Sequence, residues 1–358
     1  MPLRRQVDRW LLAATFLTAF FGVAMVASAS APLARDYYRV GELEFALRQL
    51  VAVILGGIGL VAATFVPLER LTDRRLALPL LALTWLALVV ALFQPRIAGT
   101  HRWLHLPIGS IQPSTLAKVT LPLALASWLA GSWRTERSRA PSWGVALTMA
   151  FATVLLVLVE PDLGSAVLIL SSAAAVLFVA GMPRRHLLVG GGAAAALIVA
   201  AVVFTPYRLE RVRSFLGTTS YQVQQSLIAL GGGGVFGRGP GQSVQKLFYL
   251  PQPHSDFIFA ILGEEFGLIG TTAMLALFGV IVARAVLAVR RAATPSHALL
   301  ALGLATTLAV QVLLNVSVCL NLLPAKGLPL PLVSAGGSDV LMTMVAIGLI
   351  LNVAKEGV

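Results

Sequence analysis

One cysteine, Cys319, stands in 358 residues. A lone thiol can form no intramolecular disulfide, and zinc or iron–sulfur sites built on several thiolates are excluded. In its apolar run Cys319 reads as a small buried hydrophobe. Charge is scarce too: 12% of residues are Asp, Glu, Lys or Arg, against about 25% in soluble domains. With 58% hydrophobic residues and a mean hydropathy of +0.86, the chain lacks the polar surface that a soluble core of this length needs. The same composition is the opposite of a disordered chain. There is no fixed-period repeat, no attached soluble domain and no Walker sequence. What remains is an all-α polytopic membrane protein, residues 1–358 forming one integral membrane domain.

A span needs about 20 mostly apolar residues, and about ten segments qualify: Leu11–Ser30, Leu50–Pro67, Leu76–Phe93, Pro113–Gly131, Trp143–Val159, Gly164–Met182, Leu187–Thr205, Leu268–Val289, Leu299–Leu320 and Val340–Ala354. Backbone groups in lipid must be satisfied within the segment, so all are expected to be helices. The first is too long for a signal-peptide core and is read as a retained helix.

Orientation follows from the positive charges. With the N-terminus inside, the inner segments hold Arg4, Arg5, Arg9, Arg70, Arg74, Arg75, Arg134, Arg137, Arg139, Arg184, Arg185, Arg284, Arg290, Arg291 and Lys355. The short outer loops hold Arg35, Arg39, Arg48, Arg96, Arg102 and Lys326. That places both termini in the cytoplasm, and the net charge of +12 then needs no nucleic acid to explain it. Glu136 falls inside with Asp8, Glu69, Asp73 and Glu356. Glu160, Asp162, Glu210, Asp256, Glu264, Glu265 and Asp339 fall in the outer half, so any chemistry is expected to face outward.

The longest outer loop runs from about 206 to 256, a length that is rare without a function. Its glycines allow close backbone approach to a ligand. The match of Gly232, Gly234 and Gly237 to a dinucleotide fingerprint has no strand–helix context and carries nothing. Asp256 sits where this loop meets the apolar run Phe257-Ile258-Phe259-Ala260. Desolvation there suits a general base, and capping the following helix suits it equally. Glu264-Glu265 interrupts the same run. Lys118 lies within the fourth span, either snorkelling to the interface or facing a cavity. Glu160-Pro161-Asp162-Leu163-Gly164 reads as a tight turn or an unwound, cavity-lining one. His101 and His105 lack the glutamate of a zinc-protease helix. Residues 322–338 alternate apolar side chains with Pro and Gly, which fits a re-entrant outer segment buried in protein.

These blocks together resemble the SEDS family of bacterial cell-wall polymerases. The resemblance spans nearly the whole chain in order. It covers Met25 to Ser30, Arg102-Trp103 with Ile111-Gln112-Pro113-Ser114, Glu160 to Gly164 and Tyr221 to Ser226. It continues through Gln245 to Pro251, His254 to Ala260, Gly263 to Gly267 and Leu322 to Pro331. The wording from Gln245 to Pro251 is closer to the FtsW and SpoVE branch than to RodA. Thr115 stands where the family usually has Glu, which puts a carboxylate–Lys118 pairing within that motif in doubt. Ser255, Gln252, Ala335 and Asp339 also depart from the pattern.

The resemblance implies an inverting peptidoglycan glycosyltransferase that polymerises lipid II on the outer face of the bacterial cytoplasmic membrane, in cell division or cell-shape maintenance. It implies Asp256 as catalytic base. Arg102, Lys118, Glu160, Asp162, Lys246, His254, Ser255, Glu264, Lys326 and Ser338 are the expected substrate-binding residues, with Arg102, Lys118 and Lys246 facing the diphosphate. No protein metal site is expected, although a divalent cation (Mg or Mn) could assist. The implied partners are a class B penicillin-binding protein, other division or elongation proteins and membrane lipids. The alternatives are a lipid II flippase or other lipid-linked transporter, whose polar groups would be reachable from both sides, and a scaffold indifferent to loss of Asp256.

Overall fold

The computed structural model describes residues 7–95, 100–106, 109–130, 142–217 and 219–356. Arg4, Arg5, Arg96, Arg134, Glu136, Arg137 and Arg139, used above for orientation, lie outside them. The helices are α1 (Arg9–Pro32, continued by a π-helical turn, Leu33–Tyr37), α2 (Glu44–Phe65), α3 (Leu68–Leu71), α4 (Arg74–Ala91), α5 (Pro113–Ala130), α6 (Trp143–Val159), α7 (Leu163–Val179), α8 (Arg184–Val203), α9 (Pro206–Leu216), α10 (Tyr221–Gly233), α11 (Ile258–Arg291), α12 (Pro295–Cys319) and α13 (Gly337–Glu356). A short antiparallel hairpin, β1 (Leu104–Leu106) and β2 (Gly109–Ile111), precedes α5.

Each of the ten expected segments falls on a helix. Among the described residues seven helices are long and apolar enough to cross a membrane: α1 with its π-turn, α2, α4, α8, α11, α12 and α13. Two others, α6 and α7, are shorter apolar helices, and α5 carries Lys118. The protein is an all-α, multi-pass membrane protein.

Helices in lipid associate through close packing of small residues. A Cβ on Gly348 of α13 would lie 2.4 Å from the Leu60 carbonyl of α2, and one on Gly56 2.7 Å from Met344. Where α5, α7 and α12 meet, a Cβ on Gly303 would lie 2.7 Å from Pro122, and the Gly303 carbonyl accepts from Ser172 at 2.8 Å. Burial differs sharply between helices. The apolar window of α13 is 72% buried and that of α8 11%, so α13 is central and α8 peripheral.

The long outer loop is more ordered than its glycine content suggests, since it contains α9 and α10. It also explains a break in α11 at Gly267, whose φ of 64° and ψ of −159° are not helical. The amides of Arg238 and Gly239 bond the carbonyls of Glu264 and Glu265 above the break. The amides of Leu268 and Ile269 below it bond the carbonyls of Gly234 and Val235. No polar backbone group in these four pairs is left bare in apolar surroundings. The approach admits no side chain: a Cβ on Gly267 would lie 2.4 Å from the Gly237 nitrogen.

Residues 322–338 turn back into the bundle. Leu328, Leu330, Leu332 and Val333 are buried, and a Cβ on Gly22 would lie 2.5 Å from the Leu332 carbonyl. Gly22 is ten residues below Pro32 at the end of α1, or about 15 Å at 1.5 Å per residue.

Candidate active site

Asp256 occupies the turn just before α11. Asn315 Nδ2, from α12, donates to the Asp256 carbonyl at 2.9 Å and to the Leu328 carbonyl at 2.7 Å. The Ser334 hydroxyl donates to the Ser255 carbonyl at 2.6 Å, and the Ala335 amide to the His254 carbonyl at 2.9 Å. Three successive carbonyls, 254 to 256, therefore each accept a hydrogen bond from α12 or the segment behind it, which fixes the direction of the side chain between them. Gly327 lies against that side chain: a Cβ there would sit 3.3 Å from Asp256 Oδ2.

Burial pushes the Asp256 carboxyl up to about 6. A hydrogen bond from Ser255 Oγ (3.2 Å) and the charges of Arg211 and Arg102 pull the other way. His254 is buried beside Phe45, with ring centroids 5.2 Å apart, and burial lowers its imidazole to about 4. It is a neutral wall, while Asp256 titrates in the range of a useful base.

Next to Gly327 opens a cavity of about 270 Å³, lined in part by Arg102, Asp162, Arg208, Arg211 and Lys326. Arg102 is held in place by donating to the carbonyls of Glu160 (2.8 Å) and Pro161. Burial lowers the ammonium pKa of Lys326. Arg208 and Arg211 come from α9, one turn apart. Arg211 stacks over the Tyr207 ring at 4.5 Å and donates to the Ala325 carbonyl at 2.9 Å. Pro206 at the first helical position and the i, i+3 and i, i+4 spacing of Tyr207, Arg208 and Arg211 were the signals in the sequence for this helix. Reading the region as loop left those arginines out of the expected site.

Other expected residues lie elsewhere. Lys118 is buried in the bundle, 2.6 Å from Asp339 Oδ1 and 3.1 Å from Gln311 Oε1. It does not line the cavity beside Asp256. Its carboxylate partner comes from α13 instead of position 115, so Asp339 fills the role that Thr115 leaves open. Ser338 accepts from the Gln112 amide at 3.2 Å and donates to the Ser110 carbonyl at 3.4 Å, tying α13 to the hairpin.

Lys246 and Glu264 both have partners within the chain. Lys246 Nζ is consumed by Glu265 (2.8 Å), Ser28 (2.9 Å) and the Gly241 carbonyl (2.7 Å). Glu264 accepts from the Ser243 hydroxyl and from the amides of Val244 (3.2 Å) and Gln245 (3.1 Å). A buried charge needs such partners, and with them both side chains fasten the loop to α1 and α11 and do not face the cavity. Asp162 is similarly engaged: it caps α7 through the Ser165 amide (3.0 Å) and accepts from Gln112 (2.9 Å) and Ser114 (3.1 Å).

Glu160 is fully buried, and neither carboxyl oxygen has a hydrogen-bond partner among the described residues. Burial and then the charge of Asp162 raise its acid from 4.5 to about 9, with Arg102 opposing. Between these values the folded chain holds a proton that the unfolded chain releases, so folding stability falls as pH rises through that window. Glu160→Gln keeps the shape and removes the linkage. Its melting temperature should exceed that of the unaltered chain by a margin that grows from about pH 5 to about pH 8, as thermal denaturation in detergent would show.

An acid in a clamped turn, beside a basic cavity at one end of a helical membrane bundle, defines a class of multi-pass protein with a one-ended polar site. The chain belongs to the FtsW/RodA/SpoVE (SEDS) family, whose profile, described as cell cycle protein, matches residues 8–357. It is 41% identical to the probable peptidoglycan glycosyltransferase FtsW of Thioalkalivibrio sp. (strain K90mix), over 99% of this chain and 91% of that protein. It is 35% identical to stage V sporulation protein E of Bacillus subtilis (strain 168), over 97% of each. Both relatives place it on the FtsW and SpoVE branch. Among solved structures it resembles a chain described under "structural coordination of polymerization and crosslinking by a peptidoglycan synthase complex", with a TM-score of 0.78, 31% identity and 98% coverage of both chains. The rod shape-determining protein RodA of Thermus thermophilus gives a TM-score of 0.72 at 30% identity, over 98% of this chain and 97% of that one.

Proposed function

We propose that this chain is a peptidoglycan glycosyltransferase that polymerises lipid II at the outer face of the bacterial cytoplasmic membrane. The observation that carries the reading is the pairing of Asp256, raised toward neutrality, with a cavity lined by Arg102, Arg208, Arg211 and Lys326. Its family membership and the name of its FtsW relative support the same reaction.

In this mechanism Asp256 takes the proton from the acceptor C4 hydroxyl as that oxygen attacks the donor sugar. The negative charge growing on the departing diphosphate is met by the cavity's cations. One in-line displacement inverts the anomeric centre without a covalent sugar–enzyme intermediate. Gly327 leaves the space beside Oδ2 in which the hydroxyl docks. Among the described residues no group of three His, Cys, Asp or Glu side chains could hold a metal ion. A Mg or Mn ion enters this proposal as a companion of the substrate's diphosphate. The positive-charge distribution supports both termini in the cytoplasm. A class B penicillin-binding protein, cross-linking the new strand, is the proposed partner, in keeping with the synthase complex of the structural relative. The flippase reading finds less support, because the acid and the cavity cations gather at one end of the bundle.

The deciding experiment is glycan synthesis by the purified chain from purified lipid II, with and without that partner. Polymer formation supports the proposal, and its absence under both conditions counts against it. Arg208→Gln with Arg211→Gln should weaken donor use about tenfold or more, since each charge-assisted contact contributes about 1.5–3 kcal/mol. The loss should appear in kcat/KM with insertion into the membrane unchanged.

A further inference from the structure

A second cavity lies at the opposite end of the bundle from Asp256, between α6, α7 and α8. Leu147, Phe151, Leu170, Ala173, His186 and Gly191 are among the residues that line it. The proposed reaction leaves it unused. Only 11% of the α8 window is buried, so the cavity lies beneath a helix at the periphery of the bundle. Its lining runs from Met182 and His186, where α7 gives way to α8, to Leu170, nine residues before Val179 at the end of α7. At 1.5 Å per residue that is about 14 Å, close to half of the ~30 Å of hydrocarbon. A partner's spanning helix needs the full thickness, whereas an acyl chain needs one leaflet.

The end at Met182 and His186 is basic. Arg184 and Arg185 open α8, His186 follows them, and all three are exposed. The connection from α7 to α8 is Ala180-Gly181-Met182-Pro183, with no acid to neutralise them. An apolar slot one leaflet deep under two arginines matches a lipid with a negative headgroup. We propose that this cavity binds one acyl chain of an anionic phospholipid, with the phosphate against Arg184 and Arg185. The bound lipid would brace α8, whose other end leads into α9 and its Arg208 and Arg211.

Native mass spectrometry of the purified full chain tests this, using dioleoyl phosphatidylglycerol and dioleoyl phosphatidylcholine in equal amounts as probes. They share acyl chains and differ in headgroup charge. The unaltered chain should retain phosphatidylglycerol on the order of tenfold more than phosphatidylcholine, given two arginines at a membrane surface. Arg184→Gln with Arg185→Gln should bring that ratio to about one. A Cβ at Gly191 meets open space, and leucine favours a helix over glycine, so Gly191→Leu should fold, fill the slot and lose both lipids. Equal retention by the unaltered chain would overturn the proposal. So would a preference that survives the arginine substitutions, or a phosphatidylglycerol adduct that survives Gly191→Leu.

Discussion

Asp256→Asn should lower glycan synthesis from purified lipid II by about a hundred- to ten-thousandfold, the usual contribution of a positioned general base, while insertion and melting temperature stay near those of the unaltered chain. The amide is close to the same size and keeps the turn, because the carbonyls of 254 to 256, not the side chain, accept the bonds that fix it. The pH profile adds a second check. Only the carboxylate accepts a proton, so the rate of the unaltered chain should rise with pH through about 6. Ser255→Ala removes the hydrogen bond that favours the charged form, and should move that rise to higher pH. Normal polymer from Asp256→Asn would remove Asp256 from the mechanism.

Asn315→Leu should be the next most damaging change. One amide nitrogen serves the carbonyls of Asp256 and Leu328, and a buried acceptor left without a donor costs about 1–3 kcal/mol. Two such losses shift the acid relative to Gly327, and a displacement of about 1 Å can cost on the order of a hundredfold in rate. The expected result is a lower kcat for lipid II polymerisation, with KM little changed. The melting temperature should fall as well, because leucine buries no donor. Asn315→Gln, which keeps a donor at longer reach, should recover part of both. A variant with the full loss of stability and an unaltered kcat would separate Asn315 from the geometry of the turn.

Much of the fold was legible because lipid leaves the chain few choices. Apolar runs of span length became helices, and the span expected from Leu268 begins at the break beside Gly267. The Asp256 turn was legible for a similar reason, an acid at the edge of an apolar run. What the sequence concealed were partnerships between distant residues. Lys246 and Glu264 looked like charges waiting for a substrate until Glu265, Ser28 and the amides of 244 and 245 were seen to occupy them. Asp339 looked like a departure from a pattern until it was found beside Lys118, more than two hundred positions away in the chain. Arg208 and Arg211 were missed because α9 is too polar and short to announce itself by hydropathy. Its Tyr and Arg spacing was there to be read.

The exchange of carbonyls and amides across Gly267 has one more effect. Peeling α10 and its following turn away from α11 would bare eight backbone groups together, half of them above the break and half below. No partial separation avoids that penalty, so this corner of the protein should melt in a single event. Hydrogen exchange at Arg238, Gly239, Leu268 and Ile269 should therefore report one common opening free energy.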